Sequence, residues 1–360
     1  GRWTYKFEEA ARQGAAGILI VHETGAAGYP WFVVQSSWTG GLQSLQSPDD
    51  GLSKCAFEGW ITQTAASQLF KNSTIEGKNM LQKALAKDFK PIPMGLTLDH
   101  TMQVQTEKQL SNNVIGILPG TDRADEYLIY TAHWDHIGIG PVVKGDSIYN
   151  GALDNASGMA TFMAIAKAFA EAKEKPKRSI IFLAVTAEEQ GLLGSQWYAE
   201  NPIYPLDKAI ANLNKDGANV HGSMKDLTIT GFGHSELDEL AKTEAKKQGR
   251  YVIADQQPEK GYFFRSDHFN FAKVGVPAFY AEGGYDHRAK GKEYAKEKAD
   301  EYTKANYHQP SDEYSDDWDL TGAVEDAQLY FSLGQRLANE QIYPQWKEGS
   351  EFRLARKIKD

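Results

Sequence analysis

Five short apolar runs constrain this chain more than any other feature. YLIYTAH (127–133), SIIFLAVT (179–186), AIANLN (209–214), DLTIT (226–230) and VPAFY (276–280) are strand-length, apolar and enriched in β-branched or aromatic residues. Stretches with helical periodicity lie between and beyond them, at 157–172, 192–200, 235–248 and 323–339. Strands alternating with helices of this length predict an α/β fold, a mostly parallel mixed sheet with helices on both faces. In such a sheet, chemistry gathers at the carboxyl ends of the strands. His133, the neighbours Glu188 and Glu189, and Asp216 each stand at or just after the end of an expected strand.

The first 92 residues read as a separate small α/β unit. A helix is expected at 5–13, strands at 16–22 and 31–35, and a short helix at 62–69. From Met94 the pattern changes to polar-apolar alternation through TMQVQTEKQLSNNVIGILPG, which predicts an antiparallel pair. The main domain is therefore expected over 93–360 and the small one over 1–92. KGKEYAKEKADEYTK at 290–304 reads as a solvated helix or an excursion loop. The opening GRWTYKFEEAARQGAAGILIV is an amphipathic helix running into a buried strand, with no basic leader or cleavage site. A fragment of a longer precursor is expected.

Charge and cysteine usage narrow the functional classes. Lys and Arg number 39 against 48 Asp and Glu, a net charge of −9 with no basic stripe, so nucleic acid is not an expected partner. No run of about 18 apolar residues exists to span a bilayer. Cys55 is the only cysteine, which excludes an intrachain disulfide and a thiolate metal cluster. Any metal must sit on histidines and carboxylates.

Such residues occur in five segments: HWDH (133–136), ALDNASG (152–158), AEEQGLLGS (187–195), ANLNKDG (211–217) and YHQPSDEY (307–314). Together they carry the histidines, a shared acid and the terminal acids that a pair of metal ions requires. Taken singly, each has a plainer reading. Asp154 to Ser157 would make a helix-capping turn. Glu188 and Glu189 would be solvated acids at a strand end, although two charges after SIIFLAV are costly without a use. Tyr307 would be a core or surface tyrosine. A serine nucleophile is disfavoured, because no G-x-S-x-G elbow is present.

Over roughly 94–340 these motifs resemble the two-zinc exopeptidases that include bacterial secreted leucine aminopeptidase, aminopeptidase Y and glutamate carboxypeptidase. The earlier segment FEEAARQGAAGILIVHETGAAGYPW resembles the latter part of the protease-associated domain that several members carry ahead of the core. The resemblance implies two zinc ions, one on His133, Asp154 and Asp216, the other on Asp154, Glu189 and His308, with a bridging water or hydroxide as nucleophile. It implies Glu188 as general base, Asp135 orienting His133, and Tyr307 donating to the developing oxyanion. His136 rivals His133 and is expected in a supporting or surface role. Lys215 stands where the family has an apolar residue and Gly217 comes early, so Asn214 is a competing register for Asp216, although an amide is a poor zinc ligand. In FRSDHFNFAKVGVPAFY, Ser266 is expected to cap a helix, with Asp267 and His268 structural. Tyr262, Phe263, Phe264, Tyr280 and Tyr285 would line an apolar pocket or belong to the core.

The implied activity is that of an aminopeptidase on peptide substrates, secreted or periplasmic as in the family. One alternative is a carboxypeptidase or dipeptidase, with Arg265 or Arg288 receiving a substrate carboxylate. The others are glutaminyl cyclase-like acyl transfer on one zinc, and a binding role without catalysis.

Overall fold

The computed structural model describes residues 3–38, 40–49, 51–75 and 80–356. Its strands are β1 (Gly17–Val21), β2 (Phe57–Ile61), β3 (Val114–Leu118), β4 (Arg123–His133), β5 (Gly138–Val143), β6 (Asp146–Tyr149), β7 (Arg178–Val185), β8 (Ala209–Asn214), β9 (Asp226–Thr230), β10 (Tyr251–Ala254) and β11 (Ala278–Gly283). Its α-helices are α1 (Trp3–Arg12), α2 (Thr24–Ala27), α3 (Trp31–Trp38), α4 (Gln63–Lys71), α5 (Met80–Lys83), α6 (Gly158–Glu171), α7 (Leu193–Glu200), α8 (Leu237–Lys247), α9 (His268–Lys273), α10 (Gly291–Ala305) and α11 (Thr321–Asn339).

The residues fall into two compact units. The smaller takes in 3–31 and 47–110. In it β1 and β2 pair in parallel, with Gly17 opposite Phe57. The Thr62 hydroxyl caps α4 by accepting from the Ala65 N–H at 3.1 Å. Buried His22 stacks on Tyr29 and meets the edge of Trp31.

The larger unit takes in 32–46 and 111–356, so most of α3 belongs to it rather than with the rest of the first 92 residues. Its sheet has seven strands in the order β10-β9-β11-β8-β4-β7-β3. β7, β4, β8 and β11 are mutually parallel, β3 lies antiparallel on β7, and β9 antiparallel on β11. Every residue of β7 and β8 is buried, which is why both read as unbroken runs rather than alternating ones. Successive side chains enter different layers. Leu128, Tyr130 and Ala132 pack with Phe162, Phe169 and Leu333 from α6 and α11. Ile129, Ile181 and Leu183 pack with Tyr198 and Phe271 from α7 and α9. Helices therefore cover both faces, as expected.

Two expectations are corrected. Residues 31–35 form part of α3, not a strand: Pro30 precedes the first turn, where its missing N–H costs nothing, and Ser36 Oγ donates back to the Phe32 and Val33 carbonyls. The alternating stretch from Met94 forms no antiparallel pair. Only β3 is a strand, pairing with β7 across the sheet, while Met102, Val104 and Leu110 upstream are exposed with no face to cover. The charged stretch at 290–304 is helical, as α10. Among the described residues, no helix is long and apolar enough to cross a membrane.

Candidate metal centre

His133 is the last residue of β4, a central strand, and is 1% exposed. Its Nε2 lies 3.3 Å from Asp154 Oδ1 and 3.3 Å from Asp216 Oδ1. Its Nδ1 is 3.1 Å from the Asp135 carbonyl oxygen, a position from which the ring N–H donates, and Nε2 faces the two acids. A second group forms around the other oxygen of Asp154. His308 Nε2 is 3.3 Å from Asp154 Oδ2 and 3.1 Å from Glu189 Oε2, and His136 Nδ1 is 2.7 Å from Glu189 Oε1. Asp154 thus faces both groups, one with each oxygen.

The local folding explains why these side chains meet. Leu153 and Asp154 donate their backbone N–H groups to Asp312, at 3.0 and 3.1 Å, which fixes the turn that carries Asp154. Tyr302 donates its hydroxyl to the same carboxylate. Asn155 is buried and joins the ends of two strands: its amide N–H donates to the His133 and Lys215 carbonyls, and its oxygen accepts from Gly217 N–H at 2.6 Å. It is therefore a crosslink rather than part of a capping turn. Ser157 Oγ donates to the Leu153 carbonyl. Asp135 accepts from the backbone N–H groups of Glu188 at 3.0 Å and Glu189 at 3.3 Å, so it places both acids as well as touching His133.

Asn214 is consumed elsewhere: it accepts from the Thr131 hydroxyl at 2.6 Å and donates to Ser266 Oγ at 2.7 Å. Asp216 is the residue that reaches His133. Ser266 therefore takes a hydrogen bond from β8 instead of capping α9, whose first turn has no side-chain cap. Lys215 is 2% exposed. The side chain of His136 is buried beside Glu189, which corrects a surface position for it and adds it to the second group. The duplicated histidine in HWDH was the available signal. Phe263 is core, packed with Ala272, Ala278, Trp346 and Phe352, and Phe264 packs against it. Tyr280 donates its hydroxyl to the Asp216 carbonyl at 3.1 Å. Arg288 is engaged with Glu325 and the Gln248 carbonyl.

Burial opposes a charge on His133, yet Asp216 and Asp154 hold its imidazole well above the usual histidine range. For His308 burial is likewise opposed by Glu189 and Asp154, which raise it to about 10. Burial would raise Glu189, but His308 and His136 pull it down to about 2. Glu188 goes the other way: burial, aided by Asp216, Glu189 and Asp267, keeps its carboxyl well above the ordinary value despite His133. The ring of Tyr307 lies 3.9 Å from that of His308, tilted by 35°. Burial and the charges of Asp154 and Glu189 hold its phenol well above the usual tyrosine value, so it keeps its proton.

The donor set fits a cation. His308 Nε2, Glu189 Oε1 and both nitrogens of His136 are buried without a formed hydrogen bond, despite the short approaches. An unpaired buried polar atom costs about 1–3 kcal/mol. His133, Asp154 and Asp216 offer one converging set of ligand atoms, and His136, Asp154 and Glu189 another, with His308 beside the second. Imidazoles with carboxylates suit zinc.

Comparison with known proteins agrees with this chemistry. The chain is 32% identical over 140 residues to aminopeptidase NAALADL1 of Mus musculus, a match covering 37% of this chain and 17% of that protein. It is 34% identical over 167 residues to a probable glutamate carboxypeptidase of Arabidopsis thaliana, covering 45% and 22%. The matched region thus spans about a fifth of these relatives' length. In fold it is similar to the aminopeptidase from Aneurinibacillus sp. strain AM-1, with a TM-score of 0.52 at 19% identity over 95% of this chain and 68% of that one. The model of peptidase family M28 matches residues 113–332, the stretch that carries every residue of both groups, and the chain belongs to that family of metallopeptidases.

Proposed function

We propose that the larger unit is a two-zinc exopeptidase, acting as an aminopeptidase on peptide substrates. The observation that carries this reading is the carboxylate of Asp154, one oxygen toward His133 and the other toward His308, inside a buried cluster of acids and imidazoles. One zinc would be held by His133, Asp154 and Asp216, the other by Asp154, Glu189 and His308, with His136 an additional donor beside Glu189. Bound zinc would polarise the scissile carbonyl and make water a competent nucleophile near neutral pH.

The protein's own residues account for the rest. Glu188 takes a proton from the attacking water and returns it to the leaving amine, a task suited to a carboxyl whose proton affinity burial raises. Tyr307 donates its phenolic hydrogen to the carbonyl oxygen as negative charge develops there. Asp135 accepts the backbone N–H groups of both Glu188 and Glu189 and so fixes the turn that carries these two acids of different duty. Export from the cytoplasm, as the family resemblance implies, is part of the proposal.

The test is metal content together with hydrolysis of free-amine aminoacyl anilides, for the wild type and Glu188→Gln. Two zinc ions per chain are expected in both, with turnover falling about 10²- to 10⁴-fold in the variant. One ion or none, with no turnover on any free-amine substrate, would overturn the reading. A carboxypeptidase is the second reading, and what supports it is the positive charge of Arg265, which pulls the Tyr307 phenol down against its burial. Cleavage of amine-blocked but not amide-blocked dipeptides would select it.

A further inference from the structure

Segment 32–46 lies far from the metal-binding motifs in sequence, yet it belongs to the larger unit and reaches the second group of ligands. Ser37 Oγ, on α3, is 2.7 Å from Nδ1 of His308, across 271 residues of chain. Further along the same segment, the backbone N–H of Gln43 donates to the side chain of Gln190 at 3.3 Å, next to Glu189. Both contacts fall on the second group, one on a histidine of that group and one beside its terminal carboxylate. α3 is held from within by buried Val33 and Val34 and by Ser36, whose hydroxyl donates to the Phe32 and Val33 carbonyls.

We propose that Ser37 is a positioning residue for the second zinc, holding His308 in the tautomer and ring orientation that present Nε2 to the ion. The proposal rests on the two-zinc reading above. An imidazole that gives its Nε2 lone pair to a metal carries its proton on Nδ1, and that proton needs an acceptor in a buried setting. Ser37 Oγ is at the right distance to be it. Outer partners of this kind fix the ring and raise its basicity, and removing one typically weakens metal binding by about 10- to 100-fold. The first group has its own arrangement, His133 Nδ1 against the Asp135 carbonyl, and owes nothing to Ser37. Loss of the Ser37 hydroxyl therefore weakens one ion and spares the other.

The experiment is chelator competition on the full chain, resolving the two zinc affinities for wild type, Ser37→Ala and Ser37→Thr, with the visible spectrum of the cobalt-substituted protein as a second readout. Expected are a second-ion affinity about 10- to 100-fold weaker in Ser37→Ala, an unchanged first-ion affinity, an altered cobalt spectrum, and recovery of both in Ser37→Thr. Equal affinities in wild type and Ser37→Ala, or equal weakening of both ions, would overturn the proposal. A wild type that binds a single zinc would overturn the two-zinc reading itself, a result distinct from either. Should Ser37→Ala fail to fold, the zinc-loaded wild type still decides: a slowly exchanging His308 Nδ1 proton with a cross-peak to Ser37 is expected, and its absence would overturn the assignment.

Discussion

Asp312 does its work through the backbone: it accepts the N–H groups of Leu153 and Asp154 and so sets where the shared carboxylate points. Replacing it with Ala is expected to weaken zinc binding about 10- to 100-fold, read by equilibrium dialysis, with Asp154 itself untouched. Affinity equal to wild type would mean that the turn holds without it. Asp267 and His268 are neighbours with opposite pH behaviour. Burial, assisted by Asp216 and Asp135, raises Asp267 to about 7, so the folded chain retains a proton that the unfolded chain releases above its ordinary value. Its contribution to stability is therefore lost as pH rises from about 4 to about 7. Burial lowers His268 to about 3, and its contribution is lost as pH falls from about 6.5 toward that value. In the metal-free protein, Asp267→Asn should raise the melting temperature above pH 7 relative to wild type and flatten the decline that wild type shows as pH rises from about 4 to about 7. Parallel melting curves for the two proteins would refute this. At this scale the sequence revealed residue types and their order, because histidines and acids after apolar strands are conspicuous. It could not reveal Ser37 or the grip of Asp312 on the Asp154 turn, since both are contacts between segments with no shared local pattern, 271 and 158 residues apart.

Among the elements, α11 shows how tightly a helix is keyed to the sheet. Tyr130 of β4 donates its hydroxyl to the Tyr330 carbonyl at 2.7 Å, and Tyr330 donates its own toward the carbonyls of Asn214 and Ala281. Gly334 makes room for the first of these tyrosines, because a Cβ there would sit 1.8 Å from the Tyr130 hydroxyl oxygen. Gly334→Ala should cost about 1–3 kcal/mol through overpacking, more than the helix propensity of Ala returns. A lower urea midpoint is expected; an unchanged or higher one would mean that Tyr130 moves aside cheaply. β7 and β8 were legible because burial on both faces leaves nothing but apolar or hydrogen-bonded side chains along them. The short run at 31–35 was not, since periodicity cannot separate a short strand from a buried helical turn. The alternation after Met94 misled for a different reason: a pattern with period two becomes a strand only where a partner edge is free, and β7 accepts only residues 114–118.

For the molecule as a whole, the metal-free cluster balances its charge with protons. His133 and His308 lie above their ordinary values while Asp154 and Glu189 lie below theirs, so the imidazoles are cationic beside ionised acids. Zinc must displace those protons, which fixes the sign of its pH dependence: affinity rises with pH as the histidines are stripped and falls as they are protonated. Chelator competition at pH 6, 7 and 8, corrected for the chelator's own protonation, should show tightening at each step. A flat profile would indicate ligands other than the histidines. Bound metal also stabilises the fold, by about 2.7 kcal/mol at a free concentration 100 times the dissociation constant. Removing it should lower the melting temperature accordingly.

The spacing among the donor atoms is set by a ladder of backbone hydrogen bonds. His133 lies opposite Val185, just ahead of Glu188, and Thr131 lies opposite Asn214, just ahead of Asp216. A slip of one rung shifts a strand by about 3.3 Å and turns its side chains to the other face. A substitution that keeps the core packed leaves the reach between donors unchanged, whereas one residue inserted or deleted between the paired rungs and the donors moves a ligand off the centre. In these three strands the rigid quantity is the count of residues between the paired rungs and the donors that follow them.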